Sequence, residues 1–484
     1  MCNHHGYLRT FFSRYCIFFL LSTMSALANP VKRFDTALMG LTNNNLSMVD
    51  KAFLKVGLKS GNDQLLALYE LGSFYHLSGN FKKSANFFNM ADSVAHLYED
   101  KPLISVNGMR QYIGAVLTND SAMRYEGFSY DKVMSRTLNA VNYFFLGDAE
   151  GARVELRKAE EYQRLNRERY KNKKSNMADD KLMGVIAASN PQLAVEDLVA
   201  NESVLTATYG KMFDYVKNVR NSFESVFTYF FSSQVYLAQG GHGIDDAMVS
   251  IKRAYELMPH VPSIQLAYLD IARAHSRHAY DEARTQLRID DSHLTKNPNT
   301  TGSVVVCFEA GCAPNMEQVK IPLVVSDIVY TLAFPVYNNF SVPQTPIVIY
   351  TPTDTIKTTT ITDIRCLAIK SLQERMPEIV GRSLLGAIAK AELQRNVKKG
   401  CGPFAGFIAG VASLSVASAD CRSWLSLPAE LQIAKFNLDI GINKLILHGS
   451  DWTESVMLDV KAGSNTIILI RSLPGFRRID IKTL

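Results

Sequence analysis

Between Leu68 and Ala91 the chain sets small and bulky residues in a fixed order at helical spacing: Leu68, Leu71-Gly72, Tyr75, Gly79, Phe81, Ser84, Phe88 and Ala91. Gly72 and Ser84 are small where two antiparallel helices must approach closely, and Tyr75, Phe81 and Phe88 fill the space beside them. The same offsets return between Leu138 and Ala159, with Ala140, Tyr143, Gly147, Ala152, Leu156 and Ala159. They return again between Phe230 and Pro259, with Tyr236, Gly240, Ala247, Ile251 and Ala254 and extra residues in the turn from Gly240 to Gly243. A fourth pair is expected from Ser263 to Leu287. A helix hairpin of this kind hides its apolar face only by stacking on its neighbours, so the pattern requires a curved array with a concave side.

Position by position, this order resembles a tetratricopeptide-repeat unit. In such an array the first helix of each pair lines the concavity. That rule places Tyr69, Ser73 and His76, then Thr137, Val141 and Phe144, toward a groove suited to an extended peptide or a helix. Val141 and Phe144 would serve packing between repeats equally well.

From about residue 300 the period changes to two-residue alternation. Ser303–Phe308, Val319–Val325, Ile328–Phe334, Pro346–Tyr350, Leu431–Leu438, Asn443–Leu447, Ser455–Val460 and Thr466–Ile470 are short β-branched runs separated by turn residues. The expected fold is mixed helix and strand: a tetratricopeptide-like α-solenoid over 29–295, then a β-sandwich over 300–475 with a helical insertion over 362–419. Within the insertion, Thr362–Arg375 and Glu378–Val397 read as amphipathic helices split at Pro377. The uncharged stretch Gly402–Ala419 follows, with Gly402, Gly406 and Gly410 on one helix face. It reads either as a buried helix or as a membrane-associating or self-associating segment.

Residues 1–28 carry Arg9 and Arg14, an apolar run from Tyr15 to Leu21 and the ending Ala26-Leu27-Ala28, the pattern of a cleaved secretory leader. Asn29 follows in place of a cysteine, so no lipid anchor is expected. The mature chain would keep Cys307, Cys312, Cys366, Cys401 and Cys421. Cys307 and Cys312 flank four residues that could close as a tight hairpin, which makes them a candidate disulfide in an oxidising compartment, or else two free strand thiols. With 47% hydrophobic and 20% charged residues the chain is globular in composition, and a net charge of +6 over 484 residues does not predict a nucleic-acid surface. The basic run Arg164–Lys181 reads as a solvated helix end and loop.

Catalytic motifs are missing: there is no phosphate-cradling loop, no nucleophile elbow and no His-Glu-x-x-His pair. His275, His278, Asp281 and Glu282 share a helix face, but a solvated polar surface accounts for them better than a metal site does. Glu126 reads as a loop or helix-start residue, and Trp424 beside Arg422 as a core aromatic with a cation over its ring. No catalytic residue, metal, cofactor or small-molecule substrate is expected.

Tyr125-Glu126-Gly127, Asp131-Lys132-Val133, Glu309 with Gly311 and Pro314, Ala333-Phe334-Pro335-Val336-Tyr337, and Asp420 with Arg422-Ser423-Trp424 and Leu427-Pro428-Ala429 stand in one chain. Together they resemble a bacterial family of exported tetratricopeptide-repeat proteins of unassigned function, many of them outer-membrane lipoproteins. The resemblance implies a periplasm-facing envelope protein, with no catalytic residue. The function expected is a non-enzymatic scaffold that binds envelope protein partners in its groove, with peripheral membrane association open to the glycine-spaced stretch. The alternatives are a wall-modifying hydrolase with a cleft between the two halves, or an oligomer inserting 402–419 into a membrane.

Overall fold

The computed structural model describes residues 30–99, 123–175, 205–288, 300–325, 328–338, 340–380, 383 and 418–483. The expected leader, Cys401 and Gly402, Gly406 and Gly410 lie outside them. The helices run in antiparallel pairs: α1 (Pro30–Thr42) with α2 (Ser47–Gly57), α3 (Gln64–Leu77) with α4 (Phe81–Glu99) and α5 (Ser129–Leu146) with α6 (Ala149–Ser175). After a further helix α7 (205–215) come α8 (Val226–Gln239) with α9 (Gly243–Leu257) and α10 (Pro262–His275) with α11 (Arg277–Leu287). Each pair touches the next, so the apolar faces close on one another in sequence order.

The small residues sit where the sequence needs them. A methyl group placed on Gly72 would come within 2.6 Å of the buried Phe88 ring, and the Ser84 hydroxyl donates to the Gly72 carbonyl at 2.6 Å, so α3 and α4 meet backbone to side chain. Gly147 ends α5 with φ of 86°, a left-handed conformation that a side chain would strain.

Eleven strands are described: β1 (Thr301–Ala310), β2 (Met316–Val325), β3 (Ile328–Tyr337), β4 (Val348–Tyr350), β5 (Thr355–Lys357), β6 (Thr359–Asp363), β7 (Glu430–Asp439), β8 (Gly441–His448), β9 (Thr453–Val460), β10 (Asn465–Leu473) and β11 (Phe476–Thr483). They form a five-stranded sheet β11-β10-β1-β7-β6, a four-stranded sheet β5-β4-β8-β9 and the hairpin β2-β3. In the five-stranded sheet β1 is central, parallel to β10 and antiparallel to β7. Its residues alternate between two cores. Val304, Val306 and Phe308 meet Leu445, Leu447, Val456 and Leu458 of the smaller sheet, whereas Val305 and Cys307 join the core of the helices. The five-stranded sheet is therefore covered on both faces, and β1 reads as an unbroken apolar run for that reason.

Several expectations need correction. Helix α12 (364–380) passes through Pro377 without a break. One lost backbone hydrogen bond is outweighed by Ile369, Leu372, Met376, Ile379 and Val380, which keep the helix buried on both sides of the proline. Thr362 and Asp363 belong to β6 and pair with Leu431 and Glu430 of β7. Strand β11 extends the sheet past residue 475, and α1 and α2 precede the first expected repeat. Of the two readings of Cys307 and Cys312 the structure has the free thiols, because β1 runs straight through Ala310 while paired to β7 and β10, leaving no hairpin to bring the two together. Among the described residues no helix is long and apolar enough to cross a membrane.

Substituting Gly72 by alanine drives a methyl group into a ring that has nowhere to move. The expected net cost is about 1–2 kcal/mol, after allowing for alanine's better helix propensity. Urea unfolding measures it, and an unchanged midpoint would contradict the close α3–α4 contact.

Candidate functional site

Helix α3 is buried around its whole circumference from Leu65 to Leu77, so the residues expected to line an open groove are covered by the chain itself. The cover is a strap without regular secondary structure, residues 418–429, which leads into β7. The Trp424 ring lies on the Tyr69 ring at 4.6 Å between centroids and 13° between planes. Its indole N–H is shared between the Ser73 hydroxyl at 3.0 Å and the Ser426 hydroxyl at 3.1 Å. One residue along α3 from Tyr69, Glu70 accepts the backbone N–H groups of Leu425 at 2.8 Å and Ser426 at 3.3 Å. An aromatic stack, a hydroxyl and a carboxylate thus hold an extended backbone against the helix.

Arg422 fixes the start of the strap. Its guanidinium meets Asp420 at 2.7 Å and Asp63 at 2.9 Å, and donates to the carbonyl of Met123 at 2.7 Å. The cation stands over the ring of Tyr125, 5.7 Å from its centroid, rather than over Trp424. Trp424 is core, as its sequence context suggested, while Glu126 is exposed beside Arg124 at 3.7 Å.

His76 belongs to a second buried group. Its Nδ1 lies 2.7 Å from Asn142 Oδ1, and its Nε2 lies 3.1 Å from Glu309 Oε1 on β1. Arg471 of β10 stands 3.6 Å from Glu309 Oε2 and donates to the carbonyls of Glu309 and Gly311. Burial works against charge on His76, but the Glu309 carboxylate and the two hydrogen bonds outweigh it and hold the ring above its ordinary value. Burial likewise opposes the Glu309 charge, and His76 overcomes it.

Thr137, Val141 and Phe144 are buried between helices instead of lining a groove. Thr137 bonds Thr228 of α8 at 2.8 Å, and Phe144 meets Phe231 edge to face at 5.7 Å. Three of the four candidate metal residues point to separate partners: His275 to Asp245 at 3.1 Å, Asp281 to Arg277 and Glu282 to Lys252, while His278 is exposed. Among the described residues no cluster of ligand-type side chains could hold a metal ion.

Sequence reasoning placed Tyr69, Ser73 and His76 on one face of α3, and they do share it. It missed Glu70, Asn142 and Arg471. The only signal for that ensemble was that Glu309 and the Asp420–Trp424 segment stood among the residues quoted for the family resemblance.

A third buried carboxyl closes the start of α5. Asp131 Oδ2 accepts from the Phe128 N–H at 2.9 Å and from the Tyr125 hydroxyl at 2.6 Å, while Oδ1 has no partner. Burial pushes Asp131 up to about 7, with those two bonds pulling against it. Glu70 is pushed up to about 7 by burial in the same way. A carboxyl whose folded value exceeds its unfolded value binds extra protons in the folded state, so its contribution is full at acid pH and is lost as pH rises from about 4 to about 7. Asp131→Asn keeps an oxygen for both bonds and removes the titration. The variant should match the wild type near pH 4 and exceed it at pH 8 by about 2–4 kcal/mol. Urea midpoints at the two pH values decide this, and a variant weaker than wild type at pH 8 would refute it. Trp424→Ala should cost about 3–5 kcal/mol near pH 6, because the cavity is walled by Tyr69 and Phe88.

No protein-family model matches this chain and no curated protein matches it, so what the site does follows from its own chemistry.

Proposed function

We propose that this chain is a non-enzymatic, exported scaffold of the bacterial cell envelope, in which a tetratricopeptide-like solenoid carries a β-sandwich that holds protein partners for envelope assembly. The observation that supports it most is the strap in the cradle. Tyr69, Glu70 and Ser73 grip Trp424, Leu425 and Ser426 by stacking and main-chain hydrogen bonds, which is how a helical array holds an extended peptide. The resident peptide is the chain's own. The array then serves to fix the strand-rich half, and partners meet the side facing away from the helices.

That side is the outer face of the four-stranded sheet. Ile442 is 77% exposed and Met457 59%, with Ile446 and Tyr350 exposed beside them. The register sets Ile446 opposite both Tyr350 and Ser455, and Met457 opposite Lys444, so the four apolar residues run diagonally across β8, β9 and β4. Such a stripe suits the apolar face of a protein partner.

Photoreactive residues introduced one at a time at positions 442, 457, 73 and 137 test this in living cells. Crosslinks to one envelope protein from 442 and 457, with none from 73 and 137, are expected. Capture from 73 and 137 alone would return the partner to the groove, and capture from none of the four would overturn the scaffold reading.

A further inference from the structure

The hydrogen bonds around His76 have a direction that fixes its charge. Ser84 Oγ donates to the Gly72 carbonyl at 2.6 Å, which spends its proton. It therefore accepts from Asn142 Nδ2 at 2.8 Å. The carboxamide is thereby oriented with Oδ1 toward His76, and that oxygen only accepts. On the other side of the ring, Glu309 Oε1 also only accepts. Both ring nitrogens face acceptors, so both must carry protons, and the ring is an imidazolium. A neutral ring would set a lone pair against an oxygen in a site with no access to water. Turning Asn142 to relieve it would break the bond to Ser84.

We propose that His76 is a proton-operated clamp, whose imidazolium ties α3 to α5 and to β1, and whose deprotonation loosens the strap from the cradle and uncovers Tyr69 and Ser73. This goes beyond the scaffold reading and does not depend on it. The relay runs from Gly72 through Ser84, Asn142 and His76 to Glu309, so one proton joins two helix pairs and the central strand. The charged and titratable groups around the ring are few. On its own helix Glu70 faces the strap, and α4 presents Phe81 and Ser84. From α5 comes Asn142, with Asp131 at the other end of that helix. Strand β1 presents Glu309 and the buried thiol of Cys307, β10 presents Arg471 with Cys312 beside it, and Arg478 of β11 lies over the far side of Phe81. Burial pushes Glu70 and Asp131 up to about 7, so both titrate around that pH, and burial holds both thiols above their ordinary value. His76, raised above its ordinary value by Glu309 and its two hydrogen bonds, is the group at the centre of the relay.

Hydrogen–deuterium exchange of the full chain, corrected for the chemical rate, tests the clamp. A ring whose folded value is raised contributes fully below its unfolded value and progressively less above it. Protection at 68–77 and 424–429 should therefore fall about tenfold per pH unit from about pH 6.5 up to the folded value of the ring. Protection at 445–447, inside the smaller sheet, should not fall with it. Asn142→Asp places a second carboxylate on the ring and should carry the fall to higher pH. Constant protection of both segments between pH 6 and 9 in the wild type would overturn the proposal, whether or not the variant folds. An unshifted fall in a folded Asn142→Asp would overturn it as well.

Discussion

Covering the five-stranded sheet on both faces is the constraint from which the rest of the structure follows. A strand with one wet face can alternate apolar and polar residues, but β1 and β10 have none to spare, and their helix-facing positions must match the faces the helices present. Helices without the strap and the sheet would expose Tyr69 and Phe88. A sheet with that face open would expose Val305, Ile433 and Leu469. Each half hides what the other cannot, and burial of that apolar surface at roughly 25 cal/mol per Å² outweighs any single polar contact between them.

The polar groups at this interface therefore act less as sources of stability than as selectors of one arrangement. Glu309 and Arg471 are almost wholly removed from water, and such a pair gains little net energy over apolar residues of the same shape. What they do is penalise misalignment. A shift of β1 by one residue would turn Glu309 into the core between the sheets and leave His76 and Arg471 without their counter-charge. Arg422 acts in the same way at the start of the strap, where slippage would part its guanidinium from Asp63, Asp420 and the Met123 carbonyl.

How much of this was legible depended on the range of the interaction. Gly72 and Ser84 are twelve positions apart, and their smallness announces the α3–α4 contact. The alternation in β8 and β9 is equally local. Strand β11 was not legible, because Phe476–Thr483 holds Arg477, Arg478, Asp480 and Lys482, and as an edge strand it tolerates charges that a buried strand would exclude. Pro377 was read as a break because local propensity argues for one, and tertiary burial overrode it. The site suffered most. Trp424 meets Ser73 across 351 positions and Glu309 meets His76 across 233, and no periodicity encodes which distant segment fills a concavity.

An array that holds a peptide from its own chain differs from one that waits for a partner mainly in effective concentration. A tethered strap competes with free peptides as though present at millimolar level or above, so a partner using the same contacts would need very high affinity to displace it. Equilibrium therefore favours the closed state so long as the strap fits. Fit is where the buried ionisable groups enter. A contact made only of apolar residues could be loosened by heat or denaturant alone, whereas a cradle with an imidazolium at its centre couples closure to a proton. The desolvation of His76, Glu309 and Arg471 is thus the physical cost of an interface that responds to pH.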